Sequence, residues 1–522
     1  MRYTCILQGL SKGWGEEMRW CLVFLLQASV VAGGETSSPN VLLIAVDDLN
    51  DWIGCLQGHP QAVTPNIDRL ARRGILFTNA HCVSPACNPS RAAVFSGLMP
   101  WKTGVWSNNS PRLLRQHPDI QDLSRAFQRA GYATFGTGKL MHSGAAANRV
   151  MFQQHFDVEQ RWSPFTRKAV RYSNEELPSK CTDNPRHVVH LPDSTKIVLP
   201  LNRMPSDRNP DTPDGESFDW GPMPIADDAM GDTQITNWAI EQLRSNHEKP
   251  FFLAVGYYRP HIPLWAPAEY FQRFSGVRIR LPLYREDDLD DLSPTGRRWA
   301  ITPVTAGLHE TVVEHGQWEE AVKAYLACTT YVDAQIGRLL ESLDDNGLAD
   351  NTIIVLWGDH GFHLGDHGMW GKHTTMEQAN RVPLMIHVPG EKGAYTSTLV
   401  ELMDLFPTLA QLAGLEAPGN LQGKSLAPVL KDASFDFGDV AISQYKRKGA
   451  YGYSMRTDRY RYTEWIMDDG RVAYRDLYDM QEDPGETRNI GDLPENEELM
   501  DSLAALLRQN SKGMKRLIKS KT

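Results

Sequence analysis

The chain of 522 residues is long enough for one large domain with a smaller one appended. Its hydrophobic content of 41% and charged content of 23% are those of an ordinary globular enzyme. A formal net charge of −10 excludes a general nucleic-acid or polyanion binder, so an anionic ligand would have to meet a local basic cleft.

The first segment reads as an export signal. Met18-Arg19-Trp20 precedes an almost wholly apolar run from Cys21 to Gly33, and small residues lead into Glu35-Thr36. The pattern predicts a signal peptide over residues 1–34 with Met18 as the true start, and hence a secreted or periplasmic protein, lysosomal in an animal. A buried N-terminal helix is the competing reading. The run is too short for a membrane span, which needs roughly 20 residues, and no later segment qualifies. Beyond it remain Cys55, Cys82, Cys87, Cys181 and Cys328, an odd number without zinc-type spacing. One pair could be bridged, and an odd cysteine in an oxidising compartment is a candidate reactive group.

Asn40 to Val46 is a continuous apolar run, as in a strand buried on both faces of a parallel sheet, and it ends in Asp47-Asp48. Thr64-Pro65 opens a helix that Gly74 stops, and Ile75-Leu76-Phe77 is the next strand. Ser90 to Phe95 forms a short helix after a Cys87-Asn88-Pro89 turn. Asp122 to Ala130 is helical, and Tyr132 to Phe135 is a strand leading to Gly138-Lys139. Residues 145–235 are rich in Pro, Asp and Asn without periodicity, an insertion around the site. Phe251 to Val255 then runs into Arg259-Pro260-His261, Glu319 to Leu343 has helical periodicity, and the strand Thr352 to Trp357 precedes Asp359-His360. Strands alternating with helices predict an α/β fold with a large, mostly parallel central sheet. The division is a catalytic domain over residues 36–415 and a smaller C-terminal subdomain over 416–522. In the latter, Tyr451 to Tyr478 forms antiparallel strands and Asn496 to Lys519 an amphipathic terminal helix.

Asp47-Asp48 and Asp359-His360 each follow an apolar strand at the end where open α/β sheets place ligands. If those strands are neighbours, three carboxylates converge, and a hard divalent cation relieves their repulsion. Calcium or magnesium is the natural choice; His360 is the less usual ligand of the four. The same aspartates could instead cap following helices.

Cys87-Asn88-Pro89-Ser90-Arg91 is the sharpest signal. A lone cysteine is usually a small buried hydrophobe, but here the run continues as Ala92-Ala93-Val94-Phe95-Ser96-Gly97. The motif resembles that of the type I sulfatases of the alkaline-phosphatase-like superfamily. Gly138-Lys139-Leu140-Met141-His142, Pro260-His261-Ile262-Pro263, Gly358-Asp359-His360-Gly361 and Trp370-Gly371-Lys372-His373 resemble further elements of that family, in its order. Within it, Asp359-His360, Lys372-His373 and the Tyr257 to Pro263 segment look most similar to the iduronate-2-sulfatase branch.

The resemblance implies an αβα sandwich and hydrolysis of a sulfate ester by a formylglycine made from Cys87, so a formylglycine-generating enzyme is an implied partner in maturation. It also implies a calcium ion bound by Asp47, Asp48, Asp359, His360 and modified Cys87, with Arg91 holding the hydrated aldehyde. Lys139 and Lys372 would bind sulfate, His261 would assist the leaving alkoxide, and His142 would accept the proton of the diol. His373 is a further candidate substrate contact. A sulfated sugar or glycosaminoglycan-type saccharide is the implied substrate. Phosphodiester or phosphonate-monoester hydrolysis is the alternative chemistry, and a non-catalytic protein that binds sulfated glycans the alternative class. Phe362, Met141 and Ser143 depart from the branch's pattern at positions expected near the substrate.

Overall fold

The apolar run at Asn40–Val46 (β1) is a central strand buried on both faces, which explains why it does not alternate. The computed structural model describes residues 38–511 apart from 143–144, 159–170, 174–186, 191–193, 206, 208–217, 303, 305 and 448. The expected signal peptide, Cys5, Cys21, Cys181, Ser143 and the end of the expected terminal helix lie outside the described residues.

The central sheet adds β2 (Ile75–His81), β3 (Ala133–Gly138), β4 (Gln154–Phe156), β5 (Phe251–Tyr257), β6 (Thr352–Gly358), β7 (Arg381–His387), β8 (Ala394–Thr396) and β9 (Val400–Glu401). These nine strands run in the order β8-β2-β7-β6-β1-β5-β3-β4, with β9 also on β2. Only β7 pairs antiparallel, against β6 and β2. The sheet is therefore mostly parallel, as expected.

Successive side chains of β1 face opposite layers. Val41, Leu43 and Ala45 pack with Phe95 of α2 (Cys87–Ser96), Phe127 of α3 (Leu123–Arg129) and Phe406, and Phe127 stacks on Phe252 at 4.4 Å. Leu42, Ile44 and Val46 pack with Leu70 of α1 (Pro65–Arg73), with Ile235 of α4 (Gly231–Arg244) and with Ile336 and Leu339 of α5 (Trp318–Asp345). Helices thus cover both faces, giving an αβα sandwich.

Helix α2 begins at Cys87, three residues earlier than the sequence suggests. Pro89 falls in the first turn, where its missing N–H breaks no intrahelical bond. Residues 145–235 are also more structured than expected. They include a small antiparallel sheet of Arg171–Ser173, His187–His190 and Lys196–Leu199, and Trp220–Met223 pairs with Leu264–Pro267. Their last residues already belong to α4.

Four antiparallel strands follow: β10 (Ala441–Arg447), β11 (Ala450–Arg456), β12 (Tyr460–Met467) and β13 (Val472–Asp479). Helix α6 (Glu497–Asn510) lays Met500, Leu503 and Leu507 on Met455, Tyr462 and Leu477. Strand β10 escapes the sequence reading because its buried Ser443 and Gln444 break the apolar pattern. Both have work there: Ser443 Oγ donates to Cys82 O and Gln444 N to Val83 O at 2.8 Å. The C-terminal sheet thereby braces the chain just before Cys87. Cys55, Cys82, Cys87 and Cys328 are all free thiols. No helix of the described residues is long and apolar enough to cross a membrane.

At the seam, half-buried Glu401 accepts from Ile442 N at 2.7 Å, and buried Asp404 accepts from Glu401 N and Lys424 N. Burial pushes both carboxyls upward, and the charge of Asp404 raises Glu401 further, so the folded pair retains protons that the unfolded chain releases. Stability from this pair is complete below the ordinary carboxylate range and is lost as pH rises through the elevated values. Denaturant midpoints measured between pH 5 and 9 should fall for the wild type. Glu401→Gln, which keeps an acceptor without a charge, should lessen that fall by about 1–2 kcal/mol.

Candidate active site

Four neighbouring parallel strands, β6-β1-β5-β3, end flush. Val46 pairs with Gly358 and Tyr257, and Gly138 with Gly256. The residues immediately after the strands therefore meet along one edge. Asp47 N donates to Tyr257 O at 3.3 Å and Asp359 N to Val46 O at 3.2 Å. Lys139 N donates to Gly256 O at 2.8 Å. This approach needs glycine at both positions: a Cβ on Gly138, whose φ of +71° is left-handed, would lie 1.9 Å from Gly256 O.

Cys87 enters from the first turn of α2 and is completely buried. Its Sγ lies 3.2 Å from His360 Nε2, 3.2 Å from Lys372 Nζ and 3.5 Å from Lys139 Nζ. His142 lies close enough to feel the charge of the thiol. Arg91 is one helical turn beyond Cys87, on the same face. Its Nε donates to Asp359 Oδ2 at 2.8 Å, Nη2 lies 3.4 Å from Asp47 Oδ1, and Nη1 donates to Lys139 O.

Each lysine is ion-paired, Lys139 with Asp47 and Lys372 with Asp48. His360 Nε2 lies 3.5 Å from Asp48 and 3.4 Å from Asp359. His261 Nε2 is 3.9 Å from Asp48 Oδ2, and its side chain is 17% exposed where those of Lys139 and Lys372 are 0% and 1%. It is the group of this set that most nearly reaches solvent.

Burial alone would raise the Cys87 thiol, but Lys139, Lys372 and His360 hold it well below its ordinary value. Burial likewise opposes ionisation of Asp47, yet Lys139 keeps it below the usual carboxylate range. At Asp359 burial prevails over Arg91 and His360, pushing it up to about 6. Burial lowers His142, favouring the neutral, proton-accepting ring.

The family profile described as Sulfatase matches residues 39–415, and one described as N-sulphoglucosamine sulphohydrolase, C-terminal, matches residues 365–513. The chain belongs to the sulfatase family. It is 34% identical to a sulfatase of Formosa agariphila, over 91% of this chain and 87% of that one. It is 30% identical to iduronate 2-sulfatase of Homo sapiens, over 87% of this chain and 90% of that one. The solved phosphonate monoester hydrolase of Agrobacterium radiobacter has the same fold, with a TM-score of 0.71 over 91% of this chain and 95% of that one at 21% identity. The sulfatase is thus a sulfuric ester hydrolase with an alkaline-phosphatase-like fold.

The structure brings Asp47, Asp48, Cys87, Arg91, Lys139, His142, His261, Asp359, His360 and Lys372 into one cluster. His373 is set apart. Its ring is buried against Tyr445 at 5.2 Å and lines a narrow cavity behind Lys372. Met141 and Phe362, expected near the substrate, are instead core residues; Phe362 stacks on Tyr325 at 6.0 Å. His363 and His367 pair with Asp366 and Asp288.

Other neighbours had no signal in the sequence. Asp232, at the start of α4, accepts from Tyr258 N and Arg259 N, both at 2.9 Å, and so fixes the loop that carries His261. Tyr325 of α5 donates to Asp48 O at 2.7 Å. Arg112 lies close enough to feel the charge of Cys87.

The residues fit a divalent cation. Asp47, Cys87, Asp359 and His360 present ligand atoms within 4.8 Å of one another, as do Asp47, Asp48, Cys87 and His261. Among the described residues, buried Asp48 Oδ2 has no hydrogen-bond partner, an acceptor left over for a cation. A chelator should therefore lower the melting temperature, and calcium at about 100 times its Kd should restore about 2.7 kcal/mol. Asp48→Asn should lose most of that response in a calorimetric titration.

Proposed function

We propose that this sulfatase hydrolyses the sulfate ester of a sulfated saccharide, using a formylglycine made from Cys87. The observation that carries the reading is the setting of Cys87 Sγ, within 3.5 Å of both buried lysines and of His360. A structural cysteine gains nothing from such surroundings, whereas a nucleophile beside an anionic ester needs them.

Asp47, Asp48, Asp359, His360 and residue 87 would hold calcium, with magnesium the other hard cation of this kind. When present, the cation supplies positive charge to the ester's oxygens and the oxidised residue supplies, as its hydrate, the attacking hydroxyl. Arg91 keeps residue 87 and Asp359 in register through its charge-assisted bonds. Lys139 and Lys372 neutralise sulfate oxygens as charge builds in the transition state. His261, at the open side of the cluster, protonates the departing alkoxide, which is otherwise a poor leaving group. His142, kept neutral by burial, takes the hydroxyl proton at residue 87.

Because Cys87 is 0% exposed, a formylglycine-generating enzyme has to act on Cys87-Asn88-Pro89-Ser90-Arg91 before this segment folds. The N-terminal apolar run supports an exported enzyme. The saccharide reading rests on the family and on its iduronate 2-sulfatase relative.

Mass spectrometry of the Cys87 peptide, paired with rates on matched sulfate and phosphate esters, tests the reading. The expected result is an oxidised residue 87 and a kcat/KM that favours sulfate. Full activity from an unmodified thiol, or a preference for phosphate, would overturn it. In the same assay His142→Ala should lower kcat by about 10²–10⁴-fold, the usual worth of a positioned proton acceptor.

A further inference from the structure

A cleft of about 570 Å³ opens beside Lys372, within the range of small-ligand sites. Its walls come from the segment before α5, from the 367–374 loop and from Arg447 at the end of β10. Most cations in it are already compensated. Arg285 pairs with Asp287 and Arg297 with Asp290, His367 pairs with Asp288, and Lys372 pairs with Asp48.

Arg447 differs: among the described residues it has no carboxylate partner. Its Nη2 lies 3.4 Å from His373 O, Nε has no hydrogen-bond partner among the described residues, and the guanidinium sits 6.0 Å from the Tyr445 ring. A half-buried guanidinium cannot shed its charge, so leaving it uncompensated is costly unless an anion arrives. The cleft's acidic residues, Glu286, Glu310 and Glu314, are exposed, where water screens them.

The cleft also presents a fixed donor beside an aromatic wall. Trp370 Nε1–H donates to His309 Nδ1 at 3.0 Å, so a neutral His309 carries its proton on Nε2, which has no partner among the described residues. Burial lowers His309 and favours that neutral form. Its ring packs 4.7 Å from Tyr284 and 4.5 Å from Trp318. Aromatic faces with one oriented N–H suit a sugar ring and its hydroxyl.

We propose that Arg447 is a specificity residue that binds a second anionic group, a carboxylate or a second sulfate, on the sugar bearing the scissile ester. His309 Nε2–H then donates to an oxygen of that sugar. The contact between Arg447 and His373 O ties the guanidinium to the residue next to Lys372, which favours a second anion on the same ring. This inference rests on the sulfatase reading above and names the substrate class of that site.

The test uses enzyme with confirmed oxidation at residue 87 and four substrates. These are an aryl sulfate, a sugar monosulfate without other charge, its uronic-acid counterpart and its disulfated counterpart. Wild type should prefer one dianionic sugar over the monosulfate, and which one it prefers identifies the second anion. Arg447→Ala should reduce that kcat/KM ratio by about 10- to 100-fold, chiefly through KM, as expected for a lost charge-assisted contact. Arg447→Lys should restore part of the ratio. A purely structural role would lower all four rates alike and leave the ratio intact, which would overturn the proposal. Hydrolysis of the aryl sulfate with no preference in the wild type would sink this assignment alone. No hydrolysis of any of the four would sink the sulfatase reading and this proposal with it.

Discussion

Three carboxylates, Asp47, Asp48 and Asp359, are buried together at one edge of the sheet, and the surrounding architecture answers that single electrostatic problem. Isolated charges do not survive such burial; they must be paired or must neutralise. Here Arg91, Lys139, Lys372 and His360 enclose the acids and Cys87, each contributed by a different segment. The balance couples the parts. An ion that took over the carboxylates would leave Lys139 and Lys372 short of negative charge, which is the condition that favours an arriving sulfate. The lysines that now compensate the acids are therefore suited to hold substrate by the same Coulombic requirement.

Flush strand ends make this convergence possible. A parallel sheet directs the C-terminal ends of neighbouring strands to one edge, so the residues following β1, β3, β5 and β6 meet although hundreds of residues separate them. That much was legible in the sequence, since unbroken apolar runs mark buried parallel strands and the polar residues after them stand out. The helical position of Cys87 was partly hidden, because Pro89 reads as a turn unless it is placed in the first helical turn.

What stayed hidden depends on tertiary reach. Asp232 looks like any residue opening a helix, yet it holds two backbone N–H groups of the His261 loop. Tyr325 belongs to a periodic helix, and nothing local reveals that its hydroxyl grips the backbone of Asp48. Met141 and Phe362 show the reverse error. They lie beside active-site residues in the sequence, but alternation and chain reversal turn their side chains into the core. Adjacency along a strand end does not say which layer a side chain enters.

The C-terminal sheet joins two tasks that the chain otherwise keeps apart. The reacting groups sit on strand ends and on α2, rigid elements whose spacing the sheet dictates. The cleft walls come from loops and from Arg447, where substitution costs less stability and can alter what is bound. Strand β10 belongs to both regions: Gln444 bonds to Val83, ahead of Cys87, and three residues later Arg447 reaches the cleft beside Lys372. A shift of this strand would move the guanidinium and the segment before the nucleophile together. Arg447 and the segment before Cys87 are thus held in register by one short element, and the buried Ser443 and Gln444 that obscured it in the sequence are the residues that fasten it.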